Sequence, residues 1–585
     1  MLLGEMSKRI YSHGRRGADH FLKPDTPRQR QYEALRAYIV EGLAAGTAAS
    51  RFGYSVETIR TLARELRRGR LTFFEALKPG PKKAPKRETA RERVIELRKQ
   101  DYSIYDIQRI LGAEGVSVSH VLIHSILTEE GFAKLPRRRD DERPGVVRPD
   151  TAAVADVNAI DWKDFASFET EGSALFVLLP FVIEWGLRGW VTKARLPASR
   201  MIPAVQSVLS MLALKLVGKE RLSHVMDCCD DLGFALFAGL NVLPKTTALS
   251  TYSYRVTREM TLSFLQSYVR TLKRKALVSG ESFNLDFHAI PHRGDDEFIE
   301  KHYVSRRSRR ERAVLAFLVQ DEDTRTLCYA NATVRKEESA EEILEFADFW
   351  KETYGKLPPS LVFDSQLTTY AVLDELDRRG VRFITLRRRG RGIIRRLDEL
   401  PPGDWKRMWL SGVSRRYRRV RYVEEKVTFR DVSRPLRQIA VSGLGHEEPT
   451  LFLTNEETKA TEIVERYAHR MLIENSIAEN VDFFHIDALS STVAIQVDLD
   501  VMLTLVANAL YRRLARRLTG FEQARPKQIF RRFLNTPARV SVSDREVVVR
   551  LRRMAHHPLL LASGLLDATP EVPWWNGRRL RLQVR

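Results

Sequence analysis

The alternation of strand-like and helix-like segments between residues 281 and 390 constrains the fold of this 585-residue chain most strongly. Apolar residues recur at every second position in some of these segments and at helical spacing in others. In chain order they are a strand (SFNLDFHAI), a hairpin (RAVLAFLVQDEDTRTLCYANATV), a helix (SAEEILEFADFWKETYG), a buried strand (PSLVFD), a helix (YAVLDELDRRG) and a strand (VRFITLRRR).

A strand–helix–strand connection within one sheet is right-handed and joins parallel strands, so the later strands should lie beside the first. The result is a mixed sheet with an antiparallel hairpin at one edge and helices on its faces. This order resembles the ribonuclease H fold. Residues 391–458 contain alternating segments such as YRRVRYVEEKVTF, which predict an inserted β subdomain, and a helix from Thr461 should return the chain to the core.

Three acidic residues stand out by their positions in this order. Asp286 lies in the middle of the first strand, Asp364 ends a neighbouring strand, and Glu474 lies on the returning helix. They are too far apart in sequence for local ion pairs, but folding of such a sheet would make their carboxylates converge. Three anions at one place raise one another's pKa, and divalent cations relieve that repulsion. Ligands that are all oxygen favour Mg²⁺, for which Mn²⁺ can substitute.

The segment ERYAHRMLIENSIAENVDFFHI places Tyr467, Arg470 and Glu474 at successive spacings of three and four. Side chains with these spacings lie on adjacent turns of one helix face. Such a face can be a solvated ion pair, or it can form one wall of an active site.

The segments NLDFHAIP, LVFDS and YAHRMLIEN resemble the three catalytic blocks of bacterial insertion-sequence DDE transposases. The resemblance is to those whose third block reads Y-x2-R-x3-E and is preceded by an inserted β domain, and it covers roughly residues 281 to 515. It implies that Asp286, Asp364 and Glu474 are the catalytic metal ligands. It also implies that Tyr467 and Arg470 hold the DNA strand near the cut, the arginine through a charge-assisted bond to phosphate.

The resemblance implies a DNA transposase that binds the terminal inverted repeats of an element, cleaves a strand with the help of metal ions and transfers it to target DNA. Its partners would be double-stranded DNA of the element ends and of the target. Because two ends must be paired, a homodimer or a larger assembly is expected on DNA. Two other functions stay open: a catalytically inactive helix-turn-helix regulator, and a structure-selective nuclease without strand transfer.

One position departs from the family pattern, and other residues compete for the same roles. The family often has a lysine seven residues after the glutamate, where this chain has Val481. Glu479 and Asp482 compete with Glu474, although neither lies three or four residues from it. Asp161 competes for the place of the first carboxylate, and His288 is expected to contact DNA or fill a turn.

The first 140 residues hold one helical pattern twice, which predicts a bipartite helix-turn-helix DNA-binding arm. In the first copy a helix is followed by a short helix around residues 47–52, a glycine turn and a helix capped by Ser55. That helix is expected to bury Val56, Ile59 and Leu62. Its outward face would carry the DNA-contacting residues Arg60, Arg64 and Arg67, with Arg68 beside them.

The second copy begins at RERVIELRKQ, and its middle helix has a capping box formed by Ser103 and Asp106. Its last helix is expected to start after a Ser117 cap and to carry His120 and His124. Two small helical bundles that contact proteins would give the same pattern, but the arginine-rich helix favours DNA.

Two basic segments outside these helices are predicted to contact phosphates. The proline-rich tether KPGPKKAPKRE cannot be helical, and Lys82 and Lys83 would follow the DNA backbone. RRSRRER, which supplies Arg306, Arg307 and Arg309, is either a solvated loop or a phosphate clamp beside the first acid.

The overall charge points to the same partner. The chain has 97 Lys and Arg against 75 Asp and Glu, a net charge of +22, and a nucleic acid is the commonest polyanion to neutralise such a protein. Its three cysteines form neither a disulfide framework nor a zinc-ligand spacing. The most apolar run, ALFVLLPFVIEWGL, is too short for a membrane span, so we expect a soluble, intracellular protein that is not associated with membranes. The resemblance to bacterial transposases implies a location in the bacterial cytoplasm, associated with the nucleoid.

The predicted fold is multidomain, with an all-α helix-turn-helix N-terminal arm and an α/β ribonuclease H-like core carrying an inserted β subdomain. The predicted boundaries are 1–140 for the arm, 141–280 for a mostly helical scaffold or DNA-contacting domain, 281–390 for the first part of the core, 391–458 for the β subdomain, 459–515 for the return helix and 516–585 for a basic C-terminal region.

Overall fold

The protein is described by a computed structural model in which two compact units are distinguished, Met1–Arg148 and Pro149–Arg585. The residues that the structure describes are 21, 24, 26–73, 85–133, 135, 153–291, 300–304, 309–335, 337–367, 369–411, 418–430, 432–445, 448–487 and 495–585.

Within the described residues 26–73 and 85–133, the first unit contains helices in two groups of three, each around its own small apolar core. The first group packs around Ala34, Phe52 and Ile59, and the second around Ile107 and Ile123. The helices are α1 (Pro27–Ile39), α2 (Ala45–Phe52), α3 (Val56–Arg67), α4 (Pro85–Lys99), α5 (Ile104–Ala113) and α6 (His120–Glu129).

The helix caps in this unit agree with most of the sequence predictions. Ser55 accepts a hydrogen bond from the backbone N–H of Thr58, and Ser103 forms the expected capping box with Asp106. The predicted cap at Ser117 is wrong, because α6 begins at His120 and Ser119 is the residue that caps it.

One predicted core residue of α3 is also wrong. Val56 is 39% exposed, because it is the first residue after the cap and its side chain lies on the solvent side of the first turn. Ile59 is fully buried as expected, and Leu62 is partly buried.

The second unit begins with strand β1 (Ser167–Thr170) and a group of helices, as expected for a mostly helical segment. These are α7 (Ser173–Trp185), α8 (Leu187–Lys193), α9 (Ala204–Leu216), α10 (Leu232–Ala238), α11 (Thr246–Tyr252) and α12 (Arg258–Arg274). Within the described part of the chain, no single helix is long and apolar enough to cross a membrane. One pair bent by 56°, α7 with α8, passes that test by length and composition only.

The predicted order of strands and helices follows α12. Its elements are β2 (Phe283–Pro291), β3 (Glu300–Val304), β4 (Arg309–Asp321), β5 (Leu327–Val334), α13 (Glu342–Tyr354), β6 (Ser360–Phe363), α14 (Tyr370–Arg378) and β7 (Arg382–Leu386). β2, β4 and β5 pair antiparallel, and β6 is parallel to both β2 and β7. The predicted mixed sheet is therefore present. The additional strand β3 pairs with β4.

The segment 391–458 forms α15 (Arg391–Asp398), β8 (Lys406–Trp409), β9 (Arg419–Val427), β10 (Leu436–Ser442) and β11 (Thr450–Thr454). These strands do not form a sheet of their own. β11 pairs antiparallel with β7, so the central sheet continues through this segment to ten strands, in the order β3-β4-β2-β6-β7-β11-β10-β9-β8 with β5 on β4. This differs from the predicted inserted subdomain, because backbone pairing makes the segment an extension of the core sheet.

The chain then forms α16 (Ala460–Phe484), α17 (Ile495–Ala515), α18 (Pro526–Ile529), β12 (Ala538–Val542), β13 (Glu546–Leu551), α19 (His557–Ala562) and β14 (Arg579–Val584). The C-terminal strands pair with β1 in a four-stranded sheet of order β1-β12-β13-β14. The indole N–H groups of Trp574 and Trp575 donate to the carbonyls of Phe237 and Leu236, so the C-terminal segment also packs on α10.

The largest hydrophobic core of the second unit includes residues from Phe165 to Leu582, and two smaller clusters lie apart from it, one around Val362 and Ile463 and one around Leu397 and Leu451. The helical segment, the sheet and α17 share the largest core. A buried ion pair between Lys215 and Asp500, with Nζ and Oδ2 2.8 Å apart, also joins α9 to α17. Burial of one continuous apolar core holds these elements in fixed positions around the central sheet.

Candidate active site

Two of the predicted acids lie side by side because their strands are neighbours. In the parallel pair β2–β6, Leu285 lies opposite Phe363, and both side chains are fully buried. The next residues along the two strands are Asp286 and Asp364. Neighbouring strands lie about 4.8 Å apart, so these carboxylates leave the sheet at adjacent points. Backbone N–H groups of the residues that follow each acid donate to one of its oxygens.

Helix α16 brings the third acid to this place. Its apolar residues Ile473 and Ile477 are buried in the main core, whereas Glu474 lies on the exposed side of the same turn. The buried amide of Gln320 on β4 donates to Oγ of Ser476 at 2.6 Å and to the carbonyl of Leu472 at 3.4 Å. These bonds fix the turn that carries Glu474 against the sheet.

A second polar contact fixes the preceding part of α16. The guanidinium of Arg466 contacts both carboxylate oxygens of Glu456, at 2.8 and 2.9 Å, and the carboxylate has no exposed side-chain surface. The same group donates to Ser282, just before β2, and to Ser360, the first residue of β6. Arg466 therefore ties the helix to the starts of both acid-bearing strands.

Arg466 carries no signal in the sequence that would have singled it out. Arg466 lies one turn before Arg470, which belongs to the recognised pattern, but nothing near Arg466 in sequence shows which residues it contacts. Its partners come from separate segments of the chain, so no local spacing could have revealed them.

Arg470 lies between two of the acids. Its Nη1 is 3.4 Å from Oδ2 of Asp286, and its Nη2 is 3.2 Å from Oε1 of Glu474. The arginine is only 6% exposed. One buried guanidinium is therefore shared by carboxylates that the chain brings together from a strand and a distant helix.

The pKa values show how the charges affect one another. Burial raises the pKa of Asp286 to about 6; the positive charge of Arg470 opposes this rise, while Glu474 and Asp364 add to it. Burial disfavours the charged form of Arg470, but Tyr467 and the three carboxylates outweigh it and raise the pKa of the guanidinium. The three acids therefore lie within electrostatic range of each other and of one cation.

Tyr467 forms an apolar wall beside this group. Its ring packs edge-on against Phe452 with centroids 5.4 Å apart, and the guanidinium carbon of Arg470 lies 5.5 Å from the centre of the tyrosine ring. Burial raises the pKa of the Tyr467 phenol. The aligned helix face thus borders the group of acids, with Arg470 buried and the side chain of Glu474 half exposed.

The residues present suit a divalent cation in charge and in ligand type. Three carboxylates offer oxygen ligands and up to three negative charges, and Arg470 neutralises only part of this charge. Among the residues that the structure describes, no group of three or more His, Cys, Asp or Glu side chains lies close enough together to hold a metal ion. Arg470 stands between two of the carboxylates, so an ion would need them to approach one another and the guanidinium to give way.

The competing acids are engaged elsewhere or lie outside the sheet. Glu479 pairs with Arg512 at 3.3 Å and Arg525 at 3.6 Å, and Asp482 pairs with Lys527 at 2.6 Å. The competing first carboxylate, Asp161, is exposed and accepts a hydrogen bond from the backbone two residues later, as a turn residue does.

Two further residues considered from the sequence lie near this region. Val481, at the position where the family often has lysine, packs against the main core. His288 lies on β2 two residues after Asp286, and burial lowers the pKa of its imidazole to about 4.

The predicted DNA-contacting residues are distributed over both units. Arg60, Arg64 and Arg67 are exposed on α3. Arg309 is the first residue of β4, and its side chain is 67% exposed and pairs with Glu311. Lys82, Lys83, Arg306 and Arg307 lie outside the described residues.

Comparison with known proteins gives one match to a family model. Residues 331–567 match the model described as transposase DDE domain group 1. The matched range contains Asp364 and Glu474, starts after Asp286 and extends beyond residue 515, where the resemblance noted in the sequence ends. No curated protein matches the chain.

Two solved structures that are remotely similar to this chain are structures of transposases. One is a piggyBac transposase synaptic complex with hairpin DNA, with 10% identity, coverage of 63% of this chain and 79% of that chain, and a TM-score of 0.36. The other is a pre-cleavage Mos1 transpososome, with 11% identity, coverage of 61% and 77%, and a TM-score of 0.12.

The class of protein follows from the domain match. Residues 331–567 match a transposase DDE domain, and this match supports the predicted transposase function and the predicted class of DDE-type enzyme. As a class, DDE transposases generally depend on divalent metal ions.

Proposed function

We propose that this protein binds the terminal inverted repeats of a bacterial insertion sequence, cleaves a DNA strand at each end and joins the freed end to target DNA. One observation carries the proposal. Asp286 and Glu474, which are far apart in sequence, share the guanidinium of Arg470, and Asp364 follows the strand beside Asp286. The third block would then be Tyr467, Arg470 and Glu474, with the spacing Y-x2-R-x3-E.

A ribonuclease H-like core is part of this proposal. Support comes from the strand order β5-β4-β2-β6-β7, in which three antiparallel strands are followed by two parallel ones. In chain order β2 and β6 are the first and fourth of these five strands; they bring Asp286 and Asp364 to their shared edge, and α16 crosses both. This arrangement would present carboxylates from three segments to one phosphodiester.

Asp286, Asp364 and Glu474 would hold Mg²⁺, for which Mn²⁺ can substitute. Bound there, such ions activate a water or a 3′-hydroxyl and stabilise the oxygen that leaves phosphorus. The chain's own residues supply the positioning. Gln320 and Arg466 fix α16, the apolar neighbours of Asp286 and Asp364 fix the strands, and Tyr467 packs beside Arg470.

Arg470 would have two partners in succession. Without DNA it neutralises Asp286 and Glu474. With DNA bound, its guanidinium would instead donate to a phosphate oxygen of the strand near the cut. The positive charge of Arg470, which neutralises the two carboxylates in the absence of DNA, would then bind the DNA strand.

The N-terminal unit would recognise the element ends as a bipartite helix-turn-helix arm. Arg60, Arg64 and Arg67 are exposed along one capped helix, α3, in a group of three helices. A helix of this kind fits the major groove, and its arginines reach base edges and phosphates. Because two ends must be cut, we propose that a homodimer or larger assembly forms on the DNA in the cytoplasm, at the nucleoid.

The experiment is strand cleavage and joining on DNA that carries the element ends, with single variants Asp286→Ala, Asp364→Ala and Glu474→Ala. Each should abolish Mg²⁺-dependent cleavage and leave end binding largely intact, because the arm is in the other unit. Glu479→Ala is the matched control on the same helix, and it should retain cleavage. Normal cleavage by any of the first three variants would refute the site, and cleavage without joining by the wild type would indicate a nuclease.

A further inference from the structure

An open groove in the second unit is lined by basic residues that the candidate active site does not use. It has a volume of about 650 Å³ and lies between α8, α12 and the end of α13. Its basic residues are Lys193, Arg270, Lys273 and Arg274, and its aromatic walls are Trp190 and Tyr354. None of the described residues that line it is acidic.

Three of the four basic side chains contact neutral groups, and the fourth, Lys193, is exposed. Arg270 donates to the backbone carbonyl of Thr353 at 3.3 Å, and Arg274 donates to the hydroxyl of Thr271 at 3.0 Å. Nζ of Lys273 lies 4.9 Å from the ring centre of Tyr354. None of the four forms an ion pair with a carboxylate within the part of the chain that the structure describes. The groove therefore keeps its positive charge.

This groove lies at the other end of the sheet from the carboxylates. Thr353 and Tyr354 are at the end of α13, from which the chain enters β6 at Ser360 and then reaches Asp364 after its last residue. Lys273 also lies close to Gly280, which precedes β2. The groove is thus near the starts of β2 and β6, whereas the acids lie where the pairing of these strands ends.

We propose that this groove binds the phosphate backbone of DNA away from the site of cleavage. The proposal rests on the proposed function, since a transposase must hold two element ends and a target. Arg270 and Arg274 are four residues apart on one face of α12, about 6 Å along its axis, so the groove presents a row of charges suited to successive phosphates. Contacts of this kind position DNA without reading its sequence.

The test uses the full chain and a random-sequence duplex, so that the arm's sequence preference does not contribute. Lys193→Gln with Arg274→Gln removes two exposed charges of the groove. The slope of log affinity against log salt should become smaller by about 1.8, which is about 0.9 for each phosphate that the variant no longer neutralises. Arg531→Gln with Arg545→Gln is the control: it removes the same charge from exposed positions outside the groove and should change the slope much less.

Chemical modification of lysines gives a second measurement. DNA should protect Lys193 and Lys273 from acylation, read by mass spectrometry, whereas inorganic phosphate at the same phosphate concentration should not. Equal slopes in the groove variant and the wild type, an equal effect of the control variant, or protection by inorganic phosphate as strong as by DNA would each overturn the proposal.

Failure of this proposal can be told apart from failure of the proposed function. If the wild type binds DNA and cuts it while the groove variant binds with an unchanged slope, only the groove assignment is wrong. If the groove passes both tests but Asp286→Ala still cuts, only the catalytic assignment is wrong. A wild type that binds no DNA would overturn both.

Discussion

Nη1 of Arg470 lies 3.4 Å from Oδ2 of Asp286, and both side chains are largely removed from solvent, with 8% and 19% of their surfaces exposed. An arginine on a helix thus provides the counter-charge for an acid in the middle of a strand. Burial of a carboxylate is costly unless a cation accompanies it. In the absence of metal, Arg470 is that cation, and a divalent ion must compete with it.

Arg470→Gln should therefore bind Mg²⁺ more tightly than the wild type while losing strand cleavage. Removal of one positive charge beside the carboxylates favours the ion by on the order of 1 kcal/mol at a high effective dielectric, which is roughly a five- to tenfold change in affinity. Isothermal titration of the DNA-free protein with Mg²⁺ measures the affinity, and a cleavage assay measures the activity.

Asp286→Asn is the control for that measurement, because it removes a carboxylate and should weaken Mg²⁺ binding instead. If Arg470→Gln bound Mg²⁺ less tightly than the wild type, the guanidinium would not be competing with the ion. If it bound Mg²⁺ more tightly and still cut DNA normally, Arg470 would have no part in holding the strand.

Arg466 should matter for stability more than its place on the surface of α16 suggests. Arg466→Leu leaves the carboxylate of Glu456 buried and unpaired, and loss of one partner of such a pair costs about 3 kcal/mol. Urea unfolding should show this loss. Arg466→Leu combined with Glu456→Gln should recover part of it.

Arg539→Leu is a suitable comparison, because Arg539 pairs with Glu169 and both side chains are more than half exposed. Its loss should cost less than about 1 kcal/mol. Equal effects of Arg466→Leu and Arg539→Leu would show that the contacts of Arg466 with β2 and β6 do not hold the helix.

Apart from the additional strand β3, the order of elements from β2 to β7 could be predicted because each of them has a local signal. The alternation around Asp286, the buried strand before Asp364 and the amphipathic helix α13 each follow from short-range periodicity. The right-handed strand–helix–strand connection predicted that Asp286 and Asp364 lie on neighbouring strands. The register of β2 with β6 agrees, because Leu285 and Phe363, the residues before the two acids, lie opposite each other.

Long-range pairing could not be predicted in the same way. The sequences of the strands between residues 406 and 454 would be the same whether these strands formed a separate sheet or extended the core sheet. Only the pairing of β11 with β7, in which Phe452 lies opposite Leu386, decides between the two arrangements. The shared role of Arg470 and the partners of Arg466 also depend on contacts between distant segments. The wrong helix cap has a local cause. Serine is a good N-cap at either position 117 or 119, and Ser119 is the cap because α6 begins at His120.

Glu342 gives a prediction for the pH dependence of stability that is independent of the active site. Burial raises the pKa of this carboxyl to about 7, and Glu345 adds to the rise, while the hydrogen bond from Asn331 and the charge of Arg258 oppose it. In the unfolded chain the group titrates near its ordinary value of 4.5. The folded state therefore holds a proton that the unfolded state releases, and stability falls as pH rises from about 4.5 to about 7.

Glu342→Gln should remove this loss, because an amide stays neutral at every pH. The variant should be more stable than the wild type above pH 7, by up to about 3 kcal/mol at 1.36 kcal/mol per unit, and nearly equal to it at pH 4. Urea unfolding of metal-free protein at the two pH values measures the difference, and Glu352→Gln, an exposed residue of the same helix, should show no such dependence. A variant that is less stable than the wild type at high pH would mean that the carboxylate of Glu342 is held charged by its neighbours.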